Sequence, residues 1–183
     1  MVTECWGDCL DQADAVDDWI WTGLLRPGQI TLMTALPKTG KTTLLSHLLA
    51  HRQTGTPLLD RTVRPGVTAV LTEEPRALWN RRCRKLGFGR DVCFFFRPFA
   101  LRPTQDEFAE LIAQLLDLKA RRGVDLVVVD TLSRFLPLRC ENSTESMQQA
   151  LAPLTSLAEH GLATLLNHHP SKGHAAPGRA ARG

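Results

Sequence analysis

The sequence lacks the features that mark secreted, membrane and disulfide-bonded proteins. No run approaches the roughly 18 consecutive apolar residues of a membrane span. The first residues carry acids, where a secretory leader would need a basic start followed by an apolar core. The chain therefore reads as cytoplasmic, without a membrane partner. Cysteine is sparse: Cys5, Cys9, Cys83, Cys93 and Cys140 are odd in number and show no C-x-x-C spacing, which predicts reduced thiols and argues against a common zinc motif. A large charge of one sign is also missing, and a net charge of +3 does not by itself argue for a nucleic-acid partner. No internal repeat is present, and 183 residues are long enough for one core and short for two.

That small net charge conceals two one-sided stretches. Residues 1–25 hold Glu4, Asp8, Asp11, Asp14, Asp17 and Asp18 with no Lys or Arg. Residues 76–90 hold Arg76, Arg81, Arg82, Arg84, Lys85 and Arg90 with no acid. The first is an acidic arm, residues 1–18, loose on the surface or capping a neighbour. The second is a basic patch suited to a neighbour's acids, to nucleic acid or simply to solvent.

The organising stretch is Gln29 to Arg52. Gln29 to Thr34 is a short apolar run that predicts a buried strand, and Leu44, Leu45, Leu48 and Leu49 repeat with the spacing of one helix face. Between them Ala35, Leu36, Pro37, Lys38, Thr39 and Gly40 form a tight loop that Lys41, Thr42 and Thr43 carry into the helix. Strand, loop with Gly-Lys-Thr and helix are the frame of a phosphate-binding loop. Its backbone N–H groups and the positive end of the helix make a concave anion site. Gly40 permits close approach, Lys41 brings a point charge to the β- and γ-phosphates, and the Thr42 hydroxyl is suited to ligate Mg²⁺. Ala35 stands where the pattern has its first glycine, which predicts a strained or slightly shifted loop. His47 and His51 stand four apart, a metal-sharing spacing, but opposite the leucine face and without an intervening Glu, so they read as solvated.

The rest of the chain alternates strands and helices. Trp19 and Trp21 precede the turn Gly23 to Gly28 and are suited to core packing or to stacking on an adenine ring. Val67 to Thr72 reads as a buried strand ending in Glu73-Glu74-Pro75. Those acids fit either a helix start or a general base for a water attacking a γ-phosphate. Arg76 to Arg90 reads as a short helix and Val92 to Phe96 as a third strand. A helix opened by a Thr104 and Glu107 capping box follows. Val124 to Asp130 is four apolar residues ending in aspartate, which downstream of Gly40-Lys41-Thr42 matches the second nucleotide-site motif and offers Asp130 to Mg²⁺. A polar loop through Asn142, a helix from Ser143 to His160 and a fifth strand from Leu162 to Asn167 complete the pattern, followed by His168-His169-Pro170-Ser171-Lys172. The alternation predicts a mostly parallel α/β sheet flanked by helices, residues 19–170, with a flexible basic tail, residues 171–183.

Four segments together, G-L-L-R-P-G-Q-I-T-L-M-T-A-L-P-K-T-G-K-T-T-L, L-T-E-E-P, L-V-V-V-D-T-L-S-R-F and L-L-N-H-H-P-S-K-G, resemble the RecA-like ATPases. The likeness is greatest to the branch of RepA-type hexameric helicases and related small AAA-family ATPases, and it runs in order over about residues 19–183. It implies an ATP-binding, Mg²⁺-dependent hydrolase in which Glu73 polarises the attacking water, Asp130 is linked to Mg²⁺, and His168 or His169 senses the γ-phosphate. It also implies a sensor strand between the two nucleotide-motif strands, assembly into a homo-oligomeric ring or filament, and single-stranded DNA as a partner of the tail in replication or recombination. Without the resemblance the histidine pair would read as a metal site. Family members continue into further strands that complete the sheet and commonly supply an arginine finger, so the chain reads as a version lacking them. The alternative is a nucleotide-binding module without turnover; a small-molecule phosphotransferase is disfavoured by Glu73 and the histidine pair.

Overall fold

The computed structural model describes residues 18–137 and 144–169. The acidic arm through Asp17, Cys5, Cys9, Cys140, the loop at 138–143 and the basic tail with Lys172 lie outside the described residues. Five strands form one sheet: β1 (Ile30–Thr34), β2 (Val67–Thr72), β3 (Val92–Phe96), β4 (Val124–Asp130) and β5 (Ala163–His168). Their order is β1-β5-β4-β2-β3 and every pairing is parallel. The helices are α1 (Lys41–Thr54), α2 (Arg76–Leu86), α3 (Gln105–Arg122), α4 (Leu132–Phe135) and α5 (Thr144–Glu159). This is the α/β RecA-like P-loop arrangement. The short α4 has no counterpart in the sequence reading, because four residues are too few to show a period.

Alternation along the strands builds two apolar layers. Leu126 and Val128 of β4 face α1 and α2, where they meet Leu45, Leu48, Leu49 and Trp79. Val127 and Val129 face α3 and α5, where they meet Phe108, Leu111, Leu115, Leu154 and Leu157. A strand covered on both faces must be apolar at consecutive positions, which is why V-V-V can be read as β4. Thr104 caps α3 as predicted: its side chain accepts from the Glu107 N–H while the Glu107 carboxylate accepts from the Thr104 N–H.

One strand departs from expectation. β1 is not buried; Ile30 is 40% and Leu32 50% exposed, because among the described strands β1 pairs only with β5 and forms a sheet edge. Sequence patterning reports apolarity but not strand order. An apolar groove beside this edge is lined by Trp21, Leu24, Leu32, Leu44, Leu48 and Leu59. Trp21 is core, as the commoner role of tryptophan suggests, with its indole N–H donating to the Leu58 carbonyl at 3.2 Å.

At the amino end of the sheet the side chain of Arg52, only 1% exposed, pairs with Asp125, which also meets Arg64 at 3.5 Å. Gly66 lies against this pair, leaving no room for a Cβ. Nε and Nη1 of Arg52 have no partner among the described residues, so Asp125 is the counter-charge that makes its burial tolerable. Asp125→Ala is therefore expected to lower unfolding free energy by about 3 kcal/mol or more in urea denaturation. A change below about 1 kcal/mol would show that the guanidinium finds water instead.

Candidate nucleotide site

The carboxyl ends of the strands gather the residues that the motifs single out. β5 lies between β1 and β4, so the loops after β1, β4, β5 and β2 are neighbours. Open parallel sheets bind ligands at this end. The strand order agrees with what the resemblance implies.

The loop after β1 runs from Ala35 to Gly40 and meets α1 at Lys41. Lys38, with φ of 64°, and Gly40, with φ of 97°, occupy left-handed backbone conformations, whereas Ala35 does not. The strain expected at Ala35 is thus absent there and falls on Lys38, so the missing first glycine leaves an alanine in ordinary backbone geometry. A Cβ on Gly40 would meet nothing within 4 Å; the glycine is required by its backbone angle. The Thr39 hydroxyl donates to the Leu36 carbonyl at 2.7 Å and tightens the turn. The Lys41 ammonium donates to the carbonyls of Ala35 and Leu36, curling the loop around it, and burial draws its pKa down against the opposing pull of Asp130. Pro37 is exposed and Thr43 lies on the outer side of the first turn of α1.

Asp130 is the centre. It is 4% exposed; its Oδ1 accepts from Asn167 Nδ2 at 3.0 Å and its Oδ2 accepts from the Thr42 hydroxyl at 3.1 Å. Burial pushes its carboxyl pKa up; the Asn167 and Thr42 hydrogen bonds oppose that, and the charges of Glu74 and Glu73 add to it. The Asp130–Thr131 peptide is cis. Asn167 reaches Asp130 because β5 pairs with β4 at that register.

Glu73 and Glu74 are held differently. The backbone N–H of Glu73 donates to the Asp130 carbonyl at 3.1 Å, and its Oε1 accepts from the Thr131 hydroxyl at 3.0 Å. Arg97, in a left-handed conformation with φ of 45°, donates from Nε to the Glu73 carbonyl at 2.8 Å. Glu74 instead takes both guanidinium nitrogens of Arg82. The Thr72 hydroxyl, bonded by the Trp79 indole at 3.1 Å, accepts from the Glu74 N–H at 3.1 Å and fixes the start of this loop.

His168 closes β5 opposite Thr34 of β1. His169 follows it, with a buried Nδ1 that has no partner among the described residues. No cluster of three or more His, Cys, Asp or Glu suited to a metal occurs among the described residues, so the pair does not make a metal site by that route. His47 is exposed and His51 bonds Thr56, in keeping with a solvated face.

The structure thus joins Lys41, Thr42, Asp130 and Glu73 and adds Asn167, Thr131, Arg82 and Arg97. A polar residue ending the apolar run L-A-T-L-L-N was a signal for Asn167, and a hydroxyl next to the strand-tip aspartate one for Thr131. Arg97 had none. Hydroxyl and carboxylate oxygens are hard donors suited to Mg²⁺, and an ammonium paired only with carbonyls retains its charge for a phosphate, so the residues fit both groups.

The family model described as the AAA domain matches residues 4–175 of this chain. None of the curated proteins matches it. No helix among the described residues is long and apolar enough to cross a membrane.

A raised carboxyl pKa stabilises the fold fully below the unfolded value and loses that contribution as pH rises through the folded value. In Mg²⁺- and nucleotide-free protein, Asp130→Asn is therefore expected to melt above wild type at pH 7, with the gap closing as pH falls below about 4. A gap independent of pH would show that Asp130 does not titrate in this way.

Proposed function

We propose, for a chain that belongs to the AAA-domain family of ATPases, that this site binds ATP with Mg²⁺ and hydrolyses the γ-phosphate. One observation carries the reading: Thr42 and Asp130, 88 residues apart in sequence, meet at 3.1 Å beside the loop that holds Lys41, with Glu73 on the adjoining strand tip. In this reading the N–H groups of residues 35–43 and the Lys41 ammonium bind phosphate oxygens. Thr42 and Asp130 would hold Mg²⁺, which supplies neutralisation of charge on the β- and γ-phosphate oxygens when bound.

Glu73 is the general base in this account. Thr131 engages Oε1, leaving Oε2 to accept a proton from water, and the bonds from Glu73 N–H to Asp130 and from Arg97 to the Glu73 carbonyl orient the residue. Glu74 is a poorer candidate, because Arg82 takes both of its oxygens. His168 and His169 stand at the tip of the strand between the two motif strands, which suits a group that responds to the γ-phosphate. The finer reading is a subunit of a RepA-type motor acting on DNA as a ring or filament. What supports it is the set of four segments together, above all Glu-Glu-Pro and His-His-x-x-Lys.

ATP turnover, measured with Mg²⁺ across a protein-concentration series with and without single-stranded DNA, tests both levels. Glu73→Gln is expected to reduce turnover on the order of 10²- to 10⁴-fold while nucleotide binding persists, and Lys41→Ala to lose binding itself. Turnover per chain that rises with concentration and with DNA supports the motor. Nucleotide binding with no turnover at any concentration would favour a binding module instead.

A further inference from the structure

The basic helix α2 carries more charge than the site uses. Arg82 is taken by Glu74 and Arg76 lies over the Phe96 ring at 5.1 Å. Arg81, Arg84, Lys85 and Arg90 remain, all exposed and without a carboxylate partner among the described residues. Arg81 stands three residues from Arg84 and four from Lys85, spacings at which like charges on a helix repel. Arg84 and Lys85 gain something from the last turn of the helix, where cations meet the negative end of its dipole, but Arg81 and Arg90 do not.

These cations do not serve the nucleotide. α2 begins at the carboxyl end of the sheet, just after Glu74, and runs back to Gly87; Asp91 then accepts from Thr68 at the start of β2. Arg81 to Arg90 therefore approach the amino end of the sheet, away from Lys41 and Asp130.

The acidic arm begins at that same end. Its root, Asp18, accepts through its carbonyl from Arg64 Nη1 at 3.0 Å, and Ile20 accepts from the Arg64 N–H, three residues before β2. From there Thr68 bonds Asp91, and Gly89 bonds Gln53 of α1, leading directly to the base of α2. Residues 1–17 carry Glu4, Asp8, Asp11, Asp14 and Asp17 and no Lys or Arg. A chain reaches up to about 3.3 Å per residue, and neighbouring strands stand only about 4.8 Å apart, so 17 residues have ample length. The family match begins at residue 4 and so includes most of the arm.

We propose that the acidic arm, residues 1–17, lies over the exposed basic face of α2 in its own chain and supplies the counter-charge that Arg81, Arg84, Lys85 and Arg90 lack. The face would then be screened from polyanions while the arm is in place.

Lys85 is the lone lysine between residues 76 and 90, which makes the contact readable with a zero-length carbodiimide cross-linker. In the full chain at low salt, Lys85 is expected to join Glu4, Asp8, Asp11, Asp14 or Asp17. In a mixture of isotopically labelled and unlabelled protein both ends should come from one parent. The link should vanish near about 1 M salt, where the screening length falls to about 3 Å. The full-length variant E4Q/D8N/D11N/D14N/D17N should lose it and bind a single-stranded oligonucleotide on the order of tenfold more tightly than wild type at low salt. No arm-to-Lys85 link, or links only between labelled and unlabelled chains, would overturn the proposal, the latter assigning the arm to a second copy. Equal oligonucleotide affinity in the two proteins would also overturn it, by showing a face open to nucleic acid.

Discussion

A carboxylate buried at the tip of β4 is the constraint to which the other groups of the site answer. An ionised Asp130 without partners would be costly, and its environment raises its pKa even so. Two hydrogen bonds make it tolerable, one from Asn167 on β5 and one from Thr42 at the head of α1. Each comes from a different element, so the carboxylate fixes the phosphate loop and the tip of β5 relative to β4. Those same bonds direct one oxygen toward the Thr42 hydroxyl, the pair of hard donors that a divalent cation would join.

The same economy separates two adjacent acids. Glu73 and Glu74 are neighbours in sequence, yet Arg82 on α2 withdraws one into an ion pair while Thr131 holds the other beside Asp130. The difference begins in Thr72, whose hydroxyl is anchored by Trp79 and receives the Glu74 N–H, turning the chain so that the two side chains meet different surroundings. Trp79 belongs to the core beneath α2, so apolar packing and the aim of a candidate base are linked through one hydroxyl. Arg97 adds a second restraint from β3, at the expense of a left-handed backbone conformation of the kind found where geometry serves a site.

A parallel sheet gives its two ends different chemistry. Strand tips and the head of α1 bring backbone N–H groups, Lys41 and three carboxylates together at one end. At the other, the Arg52–Asp125 pair, the root of the acidic arm and the cation-rich end of α2 come close. The chain's small net charge is thus the sum of strongly opposed regions, and their placement by the fold determines which of them can neutralise each other.

Much of this was legible in the residues because it depends on local rules. Gly40-Lys41-Thr42 between an apolar run and a leucine face, four apolar residues before Asp130, and the Thr104–Glu107 box each carry their meaning within a few positions, and alternating periods gave the parallel sheet. What could not be read were relations between distant segments. Nothing near Leu32 shows that β1 has one neighbour; nothing near Glu74 shows that Arg82 will turn to meet it; and Asn167 acquires its role only from the register of β5 against β4. Even the expected strain at Ala35 moved to Lys38, since the path of a tight loop is set by the contacts that close it. By itself the sequence determined the elements, their order and the chemical types at each strand tip, through short-range sterics and hydrophobic period. Tertiary structure alone decided which tips are adjacent, which acid stays beside Asp130 and which strand stands at the edge, because those depend on hydrogen bonds between residues that only packing brings within reach.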